Sequence, residues 1–174
     1  MNYCTINGSF EEDFFCKFIE EVKKFNQEEP LTVFISSFGG LNSVSDSFRY
    51  FFNTYPKDVT LVCMSNIDSC AYSLFMESNT RKFVTESSTA IIHLPYLEIT
   101  SNDTKDKKNI IYKRMGKKGD NRKTVEHWIE LFSKLGNSKS DIDTIKLGND
   151  VMLFYDALKK QAATAEKLFY KPKE

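Results

Sequence analysis

The feature that most constrains the fold of this sequence is an alternation of amphipathic helices with short, largely apolar segments. Apolar residues recur three and four positions apart over residues 14–25 and again over residues 43–55, which predicts two helices. Residues 31–35 and 59–64 are largely apolar and predict buried strands. Buried strands separated by amphipathic helices indicate an α/β fold with a largely parallel sheet covered on both faces.

The same alternation continues along the chain. A helix is predicted for residues 69–79 and strands for residues 82–85 and 90–93, and two further helices are predicted for residues 124–135 and 156–168. Ser9, with Glu12 three residues later, forms a capping-box pattern. This pattern predicts that the first helix begins at Ser9.

Length and composition set the class of protein. The 174 residues carry 24 basic and 24 acidic side chains, so the net charge is zero. A zero net charge gives no indication of a nucleic-acid or membrane-surface partner. The length fits a single domain over residues 1–174, and the amino terminus has no basic and apolar segments of a secretory signal. The four cysteines form neither a CxxC pair nor a zinc pattern, and Cys16 and Cys63 lie in apolar segments that predict buried thiols. A reducing cytoplasm is therefore expected, with no metal.

Residues 102–123 differ from the rest of the chain in being strongly basic. They contain nine lysines or arginines against three aspartates. One interpretation is a solvated helix and loop, and the other is a local patch that binds an acidic partner. Few aromatic residues are interleaved to stack on bases, so nucleic acid is not the expected partner.

Three short stretches carry residue types that could perform chemistry. Gly39 and Gly40 follow a predicted strand, where they serve either as a turn or as a loop whose amides bind an anion. Ser69 stands at a predicted helix start, where it either caps the helix or lies next to amides that could hold an oxyanion. His93 ends a predicted strand and is either structural or part of a site, whereas His127 is interpreted as a surface or packing residue.

Taken together and in this order, these stretches resemble the proteolytic subunit of the Clp protease family, within the wider group that includes the crotonases. The likeness rests on Ser37-Phe38-Gly39-Gly40, on the stretch from Asp58-Val59 to Ser69, and on Ile91-Ile92-His93-Leu94-Pro95. It extends over residues 3–169 and is strongest over residues 31–95. The resemblance implies repeated βαβ units with a largely parallel sheet and a protruding helical handle, which here is residues 102–135.

The resemblance also implies a mechanism. Ser69 is the expected nucleophile and His93 the base, while the backbone amides of Gly40 and Cys70 are expected to form the oxyanion hole. Asp150 is expected to orient His93, with Asn149 as the alternative third member. No metal or organic cofactor is implied.

The sequence departs from the family pattern close to the expected nucleophile. Phe38 replaces a proline of the glycine loop, and Ser65, Ile67 and Asp68 replace small residues that precede the serine. An Asp68 carboxylate that pointed inward would crowd the site or raise the pKa of His93.

Partners follow from the same resemblance. It implies a homo-oligomer of stacked rings that acts on peptides or unfolded proteins, and it raises a Clp-type ATPase as a partner. The family's segment ahead of the first strand, which contributes to ATPase docking, has no counterpart here, so that partner is not the main expectation. The predicted helix 124–135 carries Trp128, Ile129 and Phe132, whose apolar surface would favour oligomerisation.

Three other functions remain open. A catalytically silent Clp-like subunit would have a structural role, and a phage-type head maturation protease would use the same chemistry on another substrate. A crotonase-type acyl-CoA enzyme would use the oxyanion loops but would leave Ser69 and His93 without a role.

Overall fold

The computed structural model describes residues 1–99, 111–114 and 122–173. The chain divides into two compact units, and each is described by itself. The first comprises Met1–Ile92 together with Met152–Glu174, and the second comprises His93–Val151. The prediction of one domain over residues 1–174 stays a prediction.

The first unit contains the repeated strand and helix pattern that the sequence predicts. Its elements are β1 (Asn2–Asn7), α1 (Phe14–Val22), β2 (Leu31–Ser37), α2 (Asn42–Thr54), β3 (Val59–Ile67), α3 (Cys70–Glu77), β4 (Arg81–Val84), β5 (Ala90–Ile92) and α6 (Tyr155–Phe169). The predicted helix over residues 43–55 and the predicted strands over residues 31–35 and 59–64 agree with α2, β2 and β3. Strand β3 continues three residues further than predicted.

A parallel sheet forms the centre of this unit. Its strand order is β1-β2-β3-β4, and every neighbouring pair is parallel. Because crossover helices connect the parallel neighbours, the carboxyl ends of all four strands lie at the same edge of the sheet. The prediction of an α/β fold with a largely parallel sheet is confirmed.

The two faces of the sheet differ in burial. Burial alternates along β1 and β2, and residues such as Ile6, Val33 and Ile35 on one face are fully buried. The opposite face contains one cross-strand row in which Thr5, Phe34, Val62 and Phe83 are register partners. Phe83 is 59% exposed. The prediction that both faces are covered is therefore wrong for this unit, because the strands place side chains alternately on a helix-covered face and an open one.

Aromatic residues of α1 and α2 form much of the core on the covered face. The rings of Phe18 and Phe48 pack edge to face with centroids 5.0 Å apart, and Phe48 is fully buried. Further ring contacts join Phe10, Phe14, Phe15, Phe51, Phe52 and Tyr55 to this cluster. Edge-to-face pairs add to the stabilisation that burial of these side chains provides.

The first helix begins later than the capping-box pattern predicts. Its N-cap is Asp13, and Ser9 does not cap it. The reason is that Phe10 forms a bridge to Gly40, in which the Phe10 N–H donates to the Gly39 carbonyl at 2.7 Å. Because Phe10 is bonded to the glycine loop as a strand residue would be, it cannot also be the first residue of a helix that Ser9 caps. Of the two thiols predicted to be buried, Cys63 is buried but Cys16 is exposed.

Helix α6 is the last element of the first unit. It packs on β4 and α3, where the Tyr72 hydroxyl donates to Gln161 Oε1 at 2.7 Å. Both side chains are buried, so this bond satisfies two polar groups inside the core. Strand β8 (Val151–Leu153), directly before α6, pairs with β5.

The second unit contains β6 (Tyr96–Ile99), β7 (Ile111–Arg114), α4 (Arg122–Lys134) and α5 (Lys139–Lys146). Strands β6 and β7 are antiparallel. The basic segment predicted as a solvated helix and loop therefore contains a strand, and its residues 102–110 and 115–121 lie outside the described residues. A capping box between Ser138 and Asp141 opens α5.

Most apolar residues of α4 are buried, and Ile129 is half-buried. Trp128 is 6% exposed and Phe132 is fully buried, and the two rings pack edge to face at 5.5 Å. Trp128 and Phe132 are thus already covered in a single chain, so the argument that these two residues offer an apolar surface to a second subunit is wrong. In the described residues, no helix is both long and apolar enough to cross a bilayer.

Candidate functional site

A glycine loop at the carboxyl end of β2 forms the first part of the candidate site. Gly39 has φ +82° and Gly40 has φ +141°, values that residues with a side chain rarely adopt. The loop is fixed by Phe10, whose carbonyl accepts from the Leu41 N–H at 2.9 Å. A Cβ on Gly40 would lie 2.6 Å from that carbonyl oxygen, so only glycine fits.

Ser69 stands between the end of β3 and the start of α3 in an unusual backbone conformation. Its φ is 54° and its ψ is −126°, and among the described residues it is the one non-glycine residue with positive φ. Such a conformation costs about 1–3 kcal/mol and is characteristic of functional sites. The Ser69 side chain makes no capping hydrogen bond to α3, which argues against the interpretation of this serine as a helix cap.

The glycine loop and Ser69 are in direct contact. A Cβ placed on Gly39 would lie 2.8 Å from the Ser69 Cβ, 2.7 Å from the Asp68 carbonyl oxygen and 3.2 Å from the Cys70 nitrogen. The absence of a side chain at Gly39 is thus what allows the loop to reach the start of α3. The structure therefore brings Ser69, Gly40 and Cys70 together.

Two backbone amides beside Ser69 are available to a ligand. The N–H groups of Gly40 and Cys70 donate to no acceptor within the part of the chain that the structure describes. Cys70 is the first residue of α3, where helix amides lack intrahelical partners and the helix dipole is positive. Amides of this kind can stabilise the negative oxygen that forms when a carbonyl is attacked.

The side chain of Cys70 has a structural role. Its thiol donates to the Gly40 carbonyl at an S···O distance of 3.4 Å, and the Ser45 hydroxyl donates to the Cys70 carbonyl at 2.9 Å. Burial raises the pKa of the Cys70 thiol from its ordinary 9.0 to about 11. Since only a thiolate is strongly nucleophilic, this cysteine is unreactive near neutral pH and Ser69 is the better candidate nucleophile.

The carboxylate of Asp68, the residue before Ser69, is hydrogen-bonded through both of its oxygens. One of its oxygens accepts from the Ile91 N–H at 2.7 Å, and the other accepts from Asn66 Nδ2 at 3.1 Å. The side chain is buried, with 9% exposure. Sequence reasoning missed this role because Ile91 is distant in the chain and nothing in the local pattern indicates the pairing.

His93 directly follows β5 and belongs to the second unit. It is buried, and its Nδ1 lies 2.7 Å from the Leu94 carbonyl oxygen. A carbonyl can only accept, so Nδ1 carries the hydrogen, and in the neutral ring Nε2 then has the lone pair. This is the tautomer that a general base acting through Nε2 requires.

Asn149 and Asp150 directly precede β8. Gly148, with φ +87°, ends α5 in a Schellman motif in which the Asn149 N–H donates to the Thr144 carbonyl at 3.1 Å. Both Asn149 and Asp150 are exposed. The expectation that Asp150, or alternatively Asn149, orients His93 stays a prediction.

Side chains that commonly ligate metals are dispersed in the described part of the chain. Over residues 1–99, 111–114 and 122–173, no three His, Cys, Asp or Glu side chains are grouped so as to hold an ion.

Comparisons with known proteins address the fold. No family model matches the sequence, and no curated protein matches it. Among solved structures, ClpP1 from Listeria monocytogenes has a TM-score of 0.61 at 15% identity, and the match covers 92% of this chain and 86% of that one. A point mutant of the same ClpP1 gives a TM-score of 0.61 at 14% identity, with 92% and 87% coverage. The chain has the ClpP fold.

A second type of protease shares this fold. The membrane-bound stomatin-specific protease 1510-N, as a serine-to-alanine mutant, has a TM-score of 0.63 at 13% identity, covering 92% of this chain and 76% of that one. ClpP1 and the stomatin-specific enzyme are both proteases, in agreement with the resemblance seen in the sequence. At these identities the likeness establishes the fold, and the roles of individual residues rest on the geometry described above.

Proposed function

We propose that this protein is a serine-type endopeptidase with Ser69 as its nucleophile. The observation that carries the proposal is the arrangement around this residue. Ser69 has a strained backbone and no capping bond, and Gly39 packs directly against it. The amides of Gly40 and Cys70 beside it have no acceptor in the described residues. A helix cap needs none of these features, whereas a nucleophile that forms a tetrahedral intermediate uses all of them.

The proposed reaction begins when the Ser69 hydroxyl attacks a peptide carbonyl while His93 Nε2 accepts its proton. The Gly40 and Cys70 amides donate to the resulting oxyanion. The imidazolium then gives its proton to the leaving amine, which leaves an acyl-enzyme on Ser69. Water, activated by His93, hydrolyses the acyl-enzyme and regenerates the hydroxyl.

The third member of the proposed triad is Asp150, with Asn149 as the alternative. A carboxylate near the imidazole stabilises the positive charge that forms during proton transfer, whereas an amide can only orient the ring. The Leu94 carbonyl already accepts a hydrogen bond at His93 Nδ1. The contribution that we assign to Asp150 is therefore mainly electrostatic.

We further propose that the protein acts as a homo-oligomer on peptides or unfolded chains in the cytoplasm. The open face of the sheet supports this, because parallel sheets are normally covered on both faces. Its central row contains Phe34, Val62 and Phe83, an apolar surface that a second copy would cover. A Clp-type ATPase remains a further partner to be tested.

The catalytically silent subunit is the main rival, and the exposure of Asp150 favours it. Labelling with a fluorophosphonate probe separates the two functions. Ser69→Ala should abolish labelling and peptide cleavage, whereas Ser65→Ala, which removes an exposed hydroxyl at the end of β3, should leave both unchanged. Wild-type protein that labels no faster than Ser69→Ala would exclude the peptidase.

A further inference from the structure

The residue immediately before the proposed nucleophile is joined to β5 by its side chain. The Asp68 carboxylate accepts from the Ile91 N–H at 2.7 Å, and the next N–H along the chain, that of Ser69, donates to the Ile91 carbonyl at 2.8 Å. Both backbone polar groups of Ile91 are therefore bonded to the consecutive residues 68 and 69. A main-chain bond alone would fix only one of them.

The Asp68 carboxylate is itself held in place. Its second oxygen accepts from Asn66 Nδ2 at 3.1 Å, and Asn66 Oδ1 accepts from the Ser36 hydroxyl at 3.0 Å. The Asp68 backbone is also anchored, because its N–H donates to the Ser37 carbonyl at 2.9 Å. Asp68 is thus connected to β2, β3 and β5, and at 9% exposure it is largely shielded from water.

Strained conformations persist only where the surroundings fix them from several directions. Ser69 has such a conformation and is bonded through its own N–H to Ile91 alone. We propose that Asp68 is a positioning residue that holds Ser69 in its strained, attack-ready conformation by anchoring Ile91. The resemblance discussed above implies a small residue at this position, so this anchor is a property of this chain.

This inference rests on the proposed function and assigns a role to a residue that does not touch substrate. It is tested with Asp68→Ala and Asp68→Asn. The alanine variant removes the acceptor for Ile91 N–H, whereas the amide oxygen of asparagine retains it. The amide group of asparagine can donate to Asn66 after that side chain turns over.

The first readout is the rate of fluorophosphonate labelling together with kcat and KM for a fluorogenic peptide. Asp68→Ala should lower labelling and kcat by about 100-fold with KM nearly unchanged, because a misplacement of the nucleophile affects the transition state more than binding. Asp68→Asn should recover activity to within a few-fold of wild type. An alanine variant that labels at the wild-type rate, or an asparagine variant as slow as alanine, would overturn the proposal.

Asp58 provides a matched control. Its carboxylate also accepts from one backbone N–H, that of Lys173 at 2.9 Å, and from one side chain, the Tyr170 hydroxyl at 2.9 Å. It lies at the opposite end of β3 from Asp68. Asp58→Ala should lower the melting temperature while leaving the labelling rate unchanged, and a loss of labelling equal to that of Asp68→Ala would contradict a specific role for Asp68.

A stability cycle tests the anchor without any need for activity. If Asp68 maintains the strain, Ser69→Gly should melt about 2–4 °C above Ser69→Ala in the otherwise wild-type chain. In the Asp68→Ala background this difference should disappear, because the backbone of residue 69 can relax. A difference that persists would count against the anchor. Wild-type protein that fails to label while the cycle succeeds would refute the peptidase but not the anchor.

Discussion

Gly39 lies so close to Ser69 that a methyl group on the glycine would stand 2.8 Å from the serine Cβ. Carbon atoms that are not bonded do not approach to this distance, so the contact specifies glycine at position 39. The same added atom would lie 2.7 Å from the Asp68 carbonyl, which is part of the backbone and cannot turn aside. The loop that supplies one proposed oxyanion amide and the residue that supplies the proposed nucleophile are therefore packed as one unit.

Gly39→Ala should reduce fluorophosphonate labelling by about 100-fold, because the new methyl group displaces the Gly40 amide from Ser69. Gly136→Ala is the control, since Gly136 has φ +85° against +82° for Gly39 but has no atom within 4 Å of its Cβ position. Both variants place alanine at a similar positive φ, and only Gly39→Ala should lose activity. Equal labelling rates for the two variants would show that the contact is unimportant.

Ser69→Gly should be about 1 kcal/mol more stable than Ser69→Ala, because glycine adopts positive φ without strain. Equilibrium denaturation in urea measures the difference. At Ser65, which lies in β3, the order should reverse, with Ser65→Ala more stable than Ser65→Gly. The same order at both positions would mean that Ser69 is not strained in solution.

Asp150→Ala should lower kcat more than Asn149→Ala. We expect a loss well below the roughly 10⁴-fold of a buried triad carboxylate, because Asp150 is exposed and the Leu94 carbonyl already holds His93 Nδ1. Steady-state kinetics with a fluorogenic peptide would measure both variants. A larger loss for Asn149→Ala would instead assign the third position to the amide.

Phe83→Lys should dissociate the proposed oligomer without unfolding the subunit, since this side chain is 59% exposed on the open sheet face. Light scattering would then give a mass near the 20.1 kDa of one chain. Tyr50→Lys, at another aromatic residue with 73% exposure, should leave the mass of the assembly unchanged. Wild-type protein of monomeric mass would contradict the oligomer itself.

Stability should fall as the pH rises above about 9, partly because of Cys4. Burial raises the pKa of its thiol from 9.0 to about 12, with a smaller contribution from Glu21. Between these values the unfolded thiol loses its proton while the folded one retains it, so the unfolded state is favoured by up to about 1.4 kcal/mol per pH unit. Below pH 9 the thiol contributes its full stabilisation.

Urea denaturation of wild type and Cys4→Ala across pH 8 to 11 would test this effect. The alanine variant leaves a small cavity whose cost does not change with pH, so any pH dependence of the difference comes from the thiol. The stability gap between the two proteins should narrow as pH rises. A constant gap would mean that Cys4 ionises equally in both states.

Hydrophobic periodicity was sufficient to predict most of the first unit. Helix α2 and strands β2 and β3 occur where the sequence places them, because each has a clear period and is bounded by turn residues. The predicted start of α1 was wrong. Ser9 and Glu12 satisfy a local capping pattern, but Phe10 between them is paired with Gly40, thirty residues away. A local pattern contains no information about such a partner.

Some features of the candidate site were likewise predictable from the sequence, and others were not. The position of Ser69 beside the amides of Gly40 and Cys70 was expected from the family resemblance, and it agrees with their place where parallel strands end at one edge. The strain at Ser69 and the bond from Asp68 to Ile91 could not be predicted, because both depend on how distant segments meet. The apolar face of α4 was identified correctly, but its burial in a single chain was not predicted, since periodicity shows that a face is apolar and not what covers it.

The bond between the Ser69 N–H and the Ile91 carbonyl also orders events during synthesis of the chain. Ser69 is synthesised twenty-two residues before Ile91 and therefore emerges from the ribosome first. Throughout that interval the serine has no partner to hold its backbone in the strained conformation. A nascent chain therefore cannot hold Ser69 in this way until Ile91 has also emerged.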